Sequence, residues 1–343
     1  MKIVLLTIGT RGDVQPFVAL ACGLRESGHD VTIATGNDHA PLVREQGLLH
    51  APLRANFHAL LETPEGKKAL SGHPLRALHT LKAVMMPLFR EVLDDCWAAA
   101  RDADAIICHP KALGGPSVAE RLGVPCFIGA TVPVLTPTRE FAAPGVTGGN
   151  LGGLLNRMSY SLVRLAPLPF RETLNRWRKQ VLNLPPLPLT ASGYEAGGES
   201  PPILYAYSPH LLPPPSDWPT SATVTGYWFL EGGVNWQPPA ELVRFLDAGP
   251  PPVYVGFGSM TSEHPERLAR LVISALERAG QRGVLATGWG GIARAACPDT
   301  VFILGAAPHE WLLPRMAAAI HHGGAGTVGA GLRAGKPTLV CPV

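Results

Sequence analysis

Two adjacent histidines followed by a glycine-rich turn form the stretch of this chain best suited to hold an anion. Residues 321–327 read H-H-G-G-A-G-T and follow a short apolar run, 316–320. Helical spacing of apolar residues resumes after the turn, which predicts a strand, a turn and a helix start. A helix start exposes unpaired N–H groups, and glycines let an anion approach the backbone. With His321, His322 and the Thr327 hydroxyl, the pattern predicts a phosphate or diphosphate site; the alternative is a turn whose glycines serve packing alone.

A second strand-to-helix turn, near the N-terminus, has the opposite chemistry. Residues 9–13 read G-T-R-G-D and follow the buried run 2–8. The Asp13 carboxylate would repel a phosphate, but it could take a proton from a hydroxyl group. Because Asp is also a favoured helix N-cap, the spacing leaves both roles open. Ligands of open α/β sheets bind beyond the carboxyl ends of strands, so both turns lie where a ligand is expected.

Other patterns give weaker signals. The first turn lacks the G-x-G-x-x-G spacing of a nicotinamide site, and residues 335–337 lack the Ser or Thr of a phosphate-binding Walker loop. Asp102 and Asp104 form a D-x-D pair, but they precede the strand 105–108, at the edge of the sheet where ligands do not bind. We therefore predict a solvated turn there, and no metal. His109 follows that strand, where it could line an acceptor cleft or cap the strand.

Alternating strands and helices are predicted to position these turns. Short buried apolar runs predict parallel strands at 2–8, 31–34, 105–108, 126–129, 203–207, 252–257, 283–287, 301–304, 317–320 and 337–340. Helical spacing predicts helices between them, among them 75–100, 117–122 and 268–279. The alternation predicts doubly wound α/β architecture with right-handed crossovers.

The length of 343 residues suggests two domains. Proline clusters at 213–215 and 250–252 are typical of stiff, extended segments. We expect an N-terminal domain over 1–215, an interdomain linker over 216–240 and a C-terminal domain over 241–343.

Composition narrows the class of protein. Hydrophobic residues make up 46% of the chain and charged residues 16%, so large cores can be buried. The net charge of +3 and the absence of a long basic run argue against a nucleic-acid partner. The six cysteines form no C-x-x-C pair, which fits reduced thiols in the cytoplasm. The N-terminal apolar run is too short for a signal peptide or a membrane span, so we expect a cytoplasmic location.

Residues 140–184 interrupt the simple alternation. They contain two helical patterns that carry several arginines and a lysine. Three interpretations stay open: a lid over an acceptor, a face for peripheral membrane contact, or an amphipathic helix pair with a solvated basic face.

Four motifs together resemble those of sterol-type UDP-glycosyltransferases, a glycosyltransferase family 1/28-like group with the GT-B fold. Residues 9–16 read G-T-R-G-D-V-Q-P, which matches the family signature G-[ST]-R-G-D-V-Q-P. Residues 255–260 resemble the opening strand of its second domain, and residues 308–315 resemble P-H-D-W-L-F-P-R. Residues 321–327, with 331–335, resemble its diphosphate loop and helix. The matches run in order along the whole chain and are together highly specific.

The resemblance implies two Rossmann-like domains facing a cleft, the first for the acceptor and the second for the nucleotide sugar. It assigns Asp13 the role of general base and makes His321 structural. The positions implied to contact the donor are Thr10, Arg11, Ser259, Ala307, His309, His322, Ala325, Gly326 and Thr327. Of these, the first two and the last four lie near the phosphates, and Ala307 and His309 lie near the base and ribose. No metal or other cofactor is implied, since the UDP-sugar is a substrate.

The chain departs from the family pattern at two places. Plant relatives stack a tryptophan on uracil about where Ala306 stands, so the base would rely on backbone contacts near Ala307. After Cys341 and Pro342 the family continues with an aromatic pair and then G-D-Q, whose Asp and Gln bind the hydroxyls of the sugar. The resemblance therefore implies that the second domain is incomplete, or truncated, within these residues.

The motifs and the resemblance together predict an inverting glycosyltransferase. It would move a hexose, with glucose as the expected sugar, from a UDP-sugar to a hydroxyl of a hydrophobic acceptor such as a sterol, lipid or natural product. Two rival functions stay open. A sugar-nucleotide epimerase on the same fold would need no acceptor, and a non-catalytic truncated homologue would bind the nucleotide without transferring anything.

Overall fold

The computed structural model describes residues 1–54, 85–146, 149–188, 191–231, 236–257, 265–286, 297–305 and 307–342. The chain divides into two units, Met1–Leu230 and Glu231–Val343. The predicted helix residues 75–84 and the predicted donor contact Ser259 lie outside the described residues.

A parallel sheet of seven strands runs through the described part of the first unit. Its strands are β1 Lys2–Leu6, β2 Asp30–Gly36, β3 Leu49–Leu53, β4 Ala105–Cys108, β5 Cys126–Ala130, β6 Ile203–Tyr205 and β7 Ala222–Val224. Their spatial order is β3-β2-β1-β4-β5-β6-β7. The order reverses between β1 and β4, and Leu6 pairs with Cys108. The turns that follow these two strands therefore lie side by side, at the switch point where α/β sheets bind ligands.

Helices cover both faces of this sheet. They are α1 Arg11–Glu26, α2 Ala40–Glu45, α3 Met86–Ala100, α4 Gly114–Leu122, α5 Gly153–Leu165 and α6 Arg171–Trp177. Because side chains alternate along a strand, Leu5 packs with α1 on one face while Leu6 packs with α3 and α4 on the other. None of the helices in the described ranges is long and apolar enough to cross a lipid bilayer.

The second unit repeats the same plan on a smaller scale. Its strands are β8 Val253–Gly256, β9 Gly283–Ala286, β10 Val301–Leu304, β11 Ala318–His321 and β12 Thr338–Val340, in the spatial order β10-β9-β8-β11-β12. Its described helices are α7 Ala240–Asp247, α8 Pro265–Arg278, α9 His309–Leu312 and α10 Ala325–Arg333. Here the order reverses between β8 and β11, where His321 pairs with Gly256. The histidine-glycine turn therefore leaves the sheet at its switch point.

The parallel α/β architecture predicted from the apolar runs is confirmed, and every strand predicted from such a run is present. Two strands were missed. β3 reads L-H-A-P-L, so its histidine and proline hide the apolar pattern, and β7 is a three-residue edge strand. Since β7 pairs with β6, the first sheet extends into the range 216–240. The prediction that the linker begins at residue 216 was therefore wrong, and the prolines at 213–215 connect two strands of one sheet.

Candidate active site

Asp13 lies in the first turn of α1, at the carboxyl end of β1. Thr10 is the N-cap of this helix, and its backbone N–H donates a hydrogen bond of 2.8 Å to Asp13 Oδ2. Gly9 has a φ of +138°, a region that favours glycine, and a Cβ there would overlap the Asp13 carboxylate. Asp13 therefore takes part in capping α1, but as the third helical residue and not as the N-cap itself, because its side chain accepts the N–H of the N-cap residue Thr10.

Two side chains from the turn after β4 also contact the Asp13 carboxylate. His109 Nε2 lies 3.3 Å from Asp13 Oδ1, and Lys111 Nζ lies 2.8 Å from Asp13 Oδ2. The backbone N–H of Lys111 donates to His109 Nδ1 at 3.2 Å. Since Nδ1 is thereby an acceptor, the proton of a neutral His109 is on Nε2 and is donated to Asp13. The carboxylate, not the imidazole, is therefore the proton acceptor of this cluster.

Electrostatics keep Asp13 ionised. Burial opposes the negative charge, but the hydrogen bond from His109 and the positive charge of Lys111 outweigh burial and hold the pKa of Asp13 well below its ordinary value. The two partners differ in exposure, because the His109 side chain is 7% exposed and that of Lys111 is 56% exposed. His109 also packs edge-on against Phe17, with ring centroids 5.7 Å apart. Lys111 is therefore the partner that an incoming hydroxyl could displace.

The other two predicted residues of this turn have different surroundings. The Thr10 hydroxyl lies 3.3 Å from Asp13 Oδ2, so it belongs to the carboxylate cluster. Arg11 is exposed, and its Nε donates to Gln15 Oε1 at 2.8 Å. Their predicted contacts with donor phosphates stay predictions.

In the second unit, the turn after β11 presents a helix start without a side-chain cap. Gly324 is the N-cap of α10, and no side chain hydrogen-bonds to that cap among the described residues. The N–H groups of the first turn, which contains Ala325, Gly326 and Thr327, are thus available to an anion. A Cβ on Gly324 would meet Nε2 of His322, so this glycine lets the imidazole lie against the helix start.

The two histidines of this turn are not equivalent. His321 is fully buried, and its Nδ1 accepts the backbone N–H of Gly323 at 3.0 Å. Burial, assisted by the nearby His322, lowers the pKa of His321, which favours a neutral ring. Neither His321 Nε2 nor His322 Nδ1 has a hydrogen-bond partner among the described residues. His321 therefore stabilises the loop through a hydrogen bond to its backbone, while His322 is partly exposed beside the helix start.

The remaining predicted donor contacts lie after β10. Ala307 is partly buried in the core of the second unit, and His309 begins α9. His309 Nε2 lies 3.3 Å from the hydroxyl of Tyr254, a residue of the switch-point strand β8. Burial raises the pKa of Tyr254 to about 12, so its hydroxyl keeps its proton. Tyr254 thus holds His309 against the centre of the sheet.

The D-x-D pair has structural contacts. Asp104 Oδ2 accepts the backbone N–H of Lys2 at 2.7 Å, and Asp102 lies 3.8 Å from Arg101. Both residues precede β4, at the amino edge of the sheet. In the described ranges, no group of three His, Cys, Asp or Glu residues is placed to hold a metal ion.

Sequence reasoning missed two residues of these clusters. Lys111 was not considered, and Tyr254 was seen only as part of a buried strand. The contact between Lys111 and Asp13 depends on β1 and β4 being neighbours, which the chain order does not reveal. A Cβ on Gly256 would overlap the hydroxyl of Tyr254. The glycine two residues after Tyr254 was therefore the one sequence feature that could have drawn attention to this tyrosine.

Comparison with known proteins supports the family predicted from the four motifs. Residues 3–140 match the glycosyltransferase family 28 N-terminal domain. The whole chain is 39% identical to part of the Arabidopsis thaliana sterol 3-beta-glucosyltransferase UGT80A2 and 37% identical to part of UGT80B1 from the same plant. It spans 54% and 56% of the lengths of these two relatives, respectively.

Solved structures show the fold. The whole chain matches 82% of the glycosyltransferase SnogD from Streptomyces nogalater with a TM-score of 0.65 at 22% identity. It also matches 82% of the Streptomyces glycosyltransferase SsfS6 complexed with thymidine diphosphate, with a TM-score of 0.60 at 21% identity. For the calicheamicin glycosyltransferase CalG4, the match covers 99% of this chain and 79% of that one, with a TM-score of 0.67 at 18% identity. The predicted GT-B fold class is thereby confirmed.

Proposed function

The chain is similar, along its whole length, to part of the sterol 3-beta-glucosyltransferases. From this premise we propose that these 343 residues form part of an inverting glycosyltransferase. The proposed reaction moves glucose from UDP-glucose to the hydroxyl of a sterol or a similarly hydrophobic alcohol. The relatives' names support the glucosyl group and the sterol, and the nucleotide diphosphate in the SsfS6 structure supports a nucleotide-linked donor.

The observation that carries the proposal is the Asp13 carboxylate at the switch point of the first sheet. It is ionised, and it is held in place by His109 from one side and by the Thr10 N–H from another. A fixed carboxylate of this kind can orient a hydroxyl group and accept its proton. A helix cap alone would not require two further side chains, His109 and Lys111, from the turn after the neighbouring strand β4.

We propose that Asp13 acts as the base. The acceptor hydroxyl donates a hydrogen bond to Asp13, and its oxygen forms a bond to the anomeric carbon. The bond from that carbon to the diphosphate oxygen breaks, its electron pair leaves with UDP, and the hydroxyl proton passes to Asp13. Attack from the face opposite UDP inverts the configuration of the anomeric carbon.

The low pKa of Asp13 makes it a weak base for a free alcohol. As the new C–O bond forms, however, the hydroxyl oxygen gains positive charge and becomes a strong acid, so a weak base is sufficient late in the step. The incoming hydroxyl would also replace Lys111 at Oδ2, and loss of that positive charge would raise the basicity of Asp13. His109 stays in place and keeps Oδ1 oriented.

The departing UDP gains negative charge in the same step. We assign its stabilisation to the α10 helix start, His322 and the Thr327 hydroxyl, which act through hydrogen bonds and the helix dipole. Ala307 and His309 are the proposed contacts for the base and ribose. Because N–H groups, the helix dipole and a histidine can stabilise the diphosphate, the proposal includes no metal. The six cysteines, all of them free thiols, support the cytoplasm as the proposed compartment.

The test measures UDP release by the protein that contains these 343 residues, with UDP-glucose and a sterol in detergent micelles. We expect product to form only when both substrates are present, with an inverted anomeric centre by NMR. Conversion of the sugar nucleotide without acceptor would favour the epimerase. UDP binding without any turnover would favour the non-catalytic homologue.

A further inference from the structure

Helix α5 is oriented with polar side chains towards the protein. Asn156 is buried, donates a hydrogen bond of 2.9 Å to the carbonyl of Arg139, and accepts the N–H of Leu151 at 2.9 Å. Ser159 is also buried, and its Oγ accepts the N–H of Ala143 at 2.7 Å. These bonds fix the rotation of the helix about its axis. Unusually for a surface helix, they leave its aliphatic side towards solvent.

The outward face of α5 is a continuous aliphatic stripe, which we call the α5 stripe. Its members, between 51% and 67% exposed, are Leu154, Leu155, Met158, Leu162 and Leu165. Their spacing places them on one side of the helix, over a length of about 17 Å. A contiguous exposed apolar surface of this kind marks an interaction site rather than ordinary surface.

Charge and composition indicate what the α5 stripe contacts. Residues 141–171 contain three arginines and no Asp or Glu. Two of them, Arg157 and Arg164, are exposed and seven residues apart, so they lie along the same flank of the stripe. Arg157 also lies near Asp217, a residue of a loop in the same unit. The third, Arg171, donates to the carbonyl of Leu187 at 2.9 Å and is committed to the fold.

We propose that the α5 stripe docks the first unit onto the surface of an anionic lipid bilayer. The aliphatic side chains enter the boundary of the acyl chains, while Arg157 and Arg164 extend to the headgroups. Protein interfaces are enriched in aromatic anchors, and the stripe has none, since Tyr160 of this helix is buried inward. A flexible aliphatic surface beside arginines suits a fluid, negatively charged layer better. The docking does not depend on transferase activity.

The test is co-sedimentation of the protein that contains these 343 residues with vesicles. We expect binding to phosphatidylcholine vesicles that contain phosphatidylserine, and weaker binding to phosphatidylcholine alone. The triple variant Leu155→Gln, Met158→Gln and Leu162→Gln should lower the partition coefficient about tenfold or more. The double variant Arg157→Gln and Arg164→Gln should lower binding only to the phosphatidylserine vesicles, and salt should mimic its effect.

The matched control is Leu271→Gln on α8, because Leu271 is 65% exposed on the other unit and should leave vesicle binding unchanged. Circular dichroism checks that each variant is folded, which we expect because all the changed side chains are exposed. Equal sedimentation of the triple variant and the parent chain would overturn the proposal. It would also be overturned if the triple variant changed only the mass of the protein in solution, or only its affinity for a sterol.

Discussion

The turns at the switch points of the two sheets share a position in the fold and differ in charge. In the first unit, side chains from the turns after two neighbouring strands, β1 and β4, contact the Asp13 carboxylate. In the second unit, the turn 321–327 has no acid and combines two histidines with an uncapped helix start. The turn of the first unit surrounds a carboxylate of the protein itself, whereas the turn of the second unit offers free N–H groups that could bind an anionic ligand.

In the reaction proposed above, one architecture would serve two parts of a single step. Strand order decides where a ligand binds, but it does not decide the chemistry. A carboxylate can accept a proton but would repel a diphosphate, whereas N–H groups and histidine do the reverse. Our proposal therefore gives proton transfer to the first unit and charge stabilisation on the leaving group to the second.

The largest expected effect comes from removing the anion of the first turn. Asp13→Asn keeps the shape and much of the hydrogen bonding, but the amide cannot accept the proton. We expect turnover to fall about 10²-fold or more, with nearly unchanged affinity for UDP. Steady-state kinetics and calorimetry with UDP measure the two effects.

Asp102→Asn is the matched control for this variant, since Asp102 is an exposed carboxylate at the opposite edge of the same sheet. It should leave turnover unchanged. If Asp13→Asn kept the parent rate, Asp13 would be reduced to its part in capping α1.

A smaller effect is expected from the second turn. His322→Ala should weaken UDP about tenfold and uridine much less, because uridine has no phosphate to lose a contact worth about 1–3 kcal/mol. Calorimetry with both ligands measures this difference, and His210→Ala, at an exposed histidine of the first unit, serves as control. Equal weakening of UDP and uridine would contradict the assignment and make His322 a structural residue.

Removing the cation that contacts Asp13 tests what controls the pKa of this carboxylate. Lys111→Met should raise the pKa of Asp13 towards its ordinary value, because His109 then remains the only described side chain that lowers it. The acid limb of the kcat/KM profile should therefore move to higher pH, while the rate above neutral pH changes only a few-fold. Lys179→Met, at another exposed lysine of the same unit, should not move the profile. An unmoved acid limb for Lys111→Met, in an enzyme that still needs Asp13, would show that Lys111 does not tune the base.

The smallest expected effect is that of a chelator. We predict that UDP binds equally well with and without EDTA, since the second turn offers N–H groups and His322 to the diphosphate. Calorimetry checks this. Loss of binding that Mg²⁺ restores would show that the diphosphate is neutralised by a metal instead.

Local patterns were sufficient for much of the fold. Short apolar runs predicted the buried strands because parallel strands covered on both faces need continuous apolar sequence. The same rule failed for β3, which contains a proline and a histidine, and for β7, which is too short to show a pattern. Local patterns also left the role of residues 140–184 open, because a helical apolar stripe in sequence does not say which side of the helix is buried.

By itself, the sequence determined the alternation of strands and helices, the two chemically distinct turns and the family that their motifs indicate. Each of these depends on residues that are close together along the chain. Only the tertiary structure decided that His109 and Lys111 contact Asp13, that Tyr254 holds His309, and that β7 extends the first sheet. Those contacts join residues from 19 to 98 positions apart, so they depend on how the strands and the turns that follow them are arranged in each sheet.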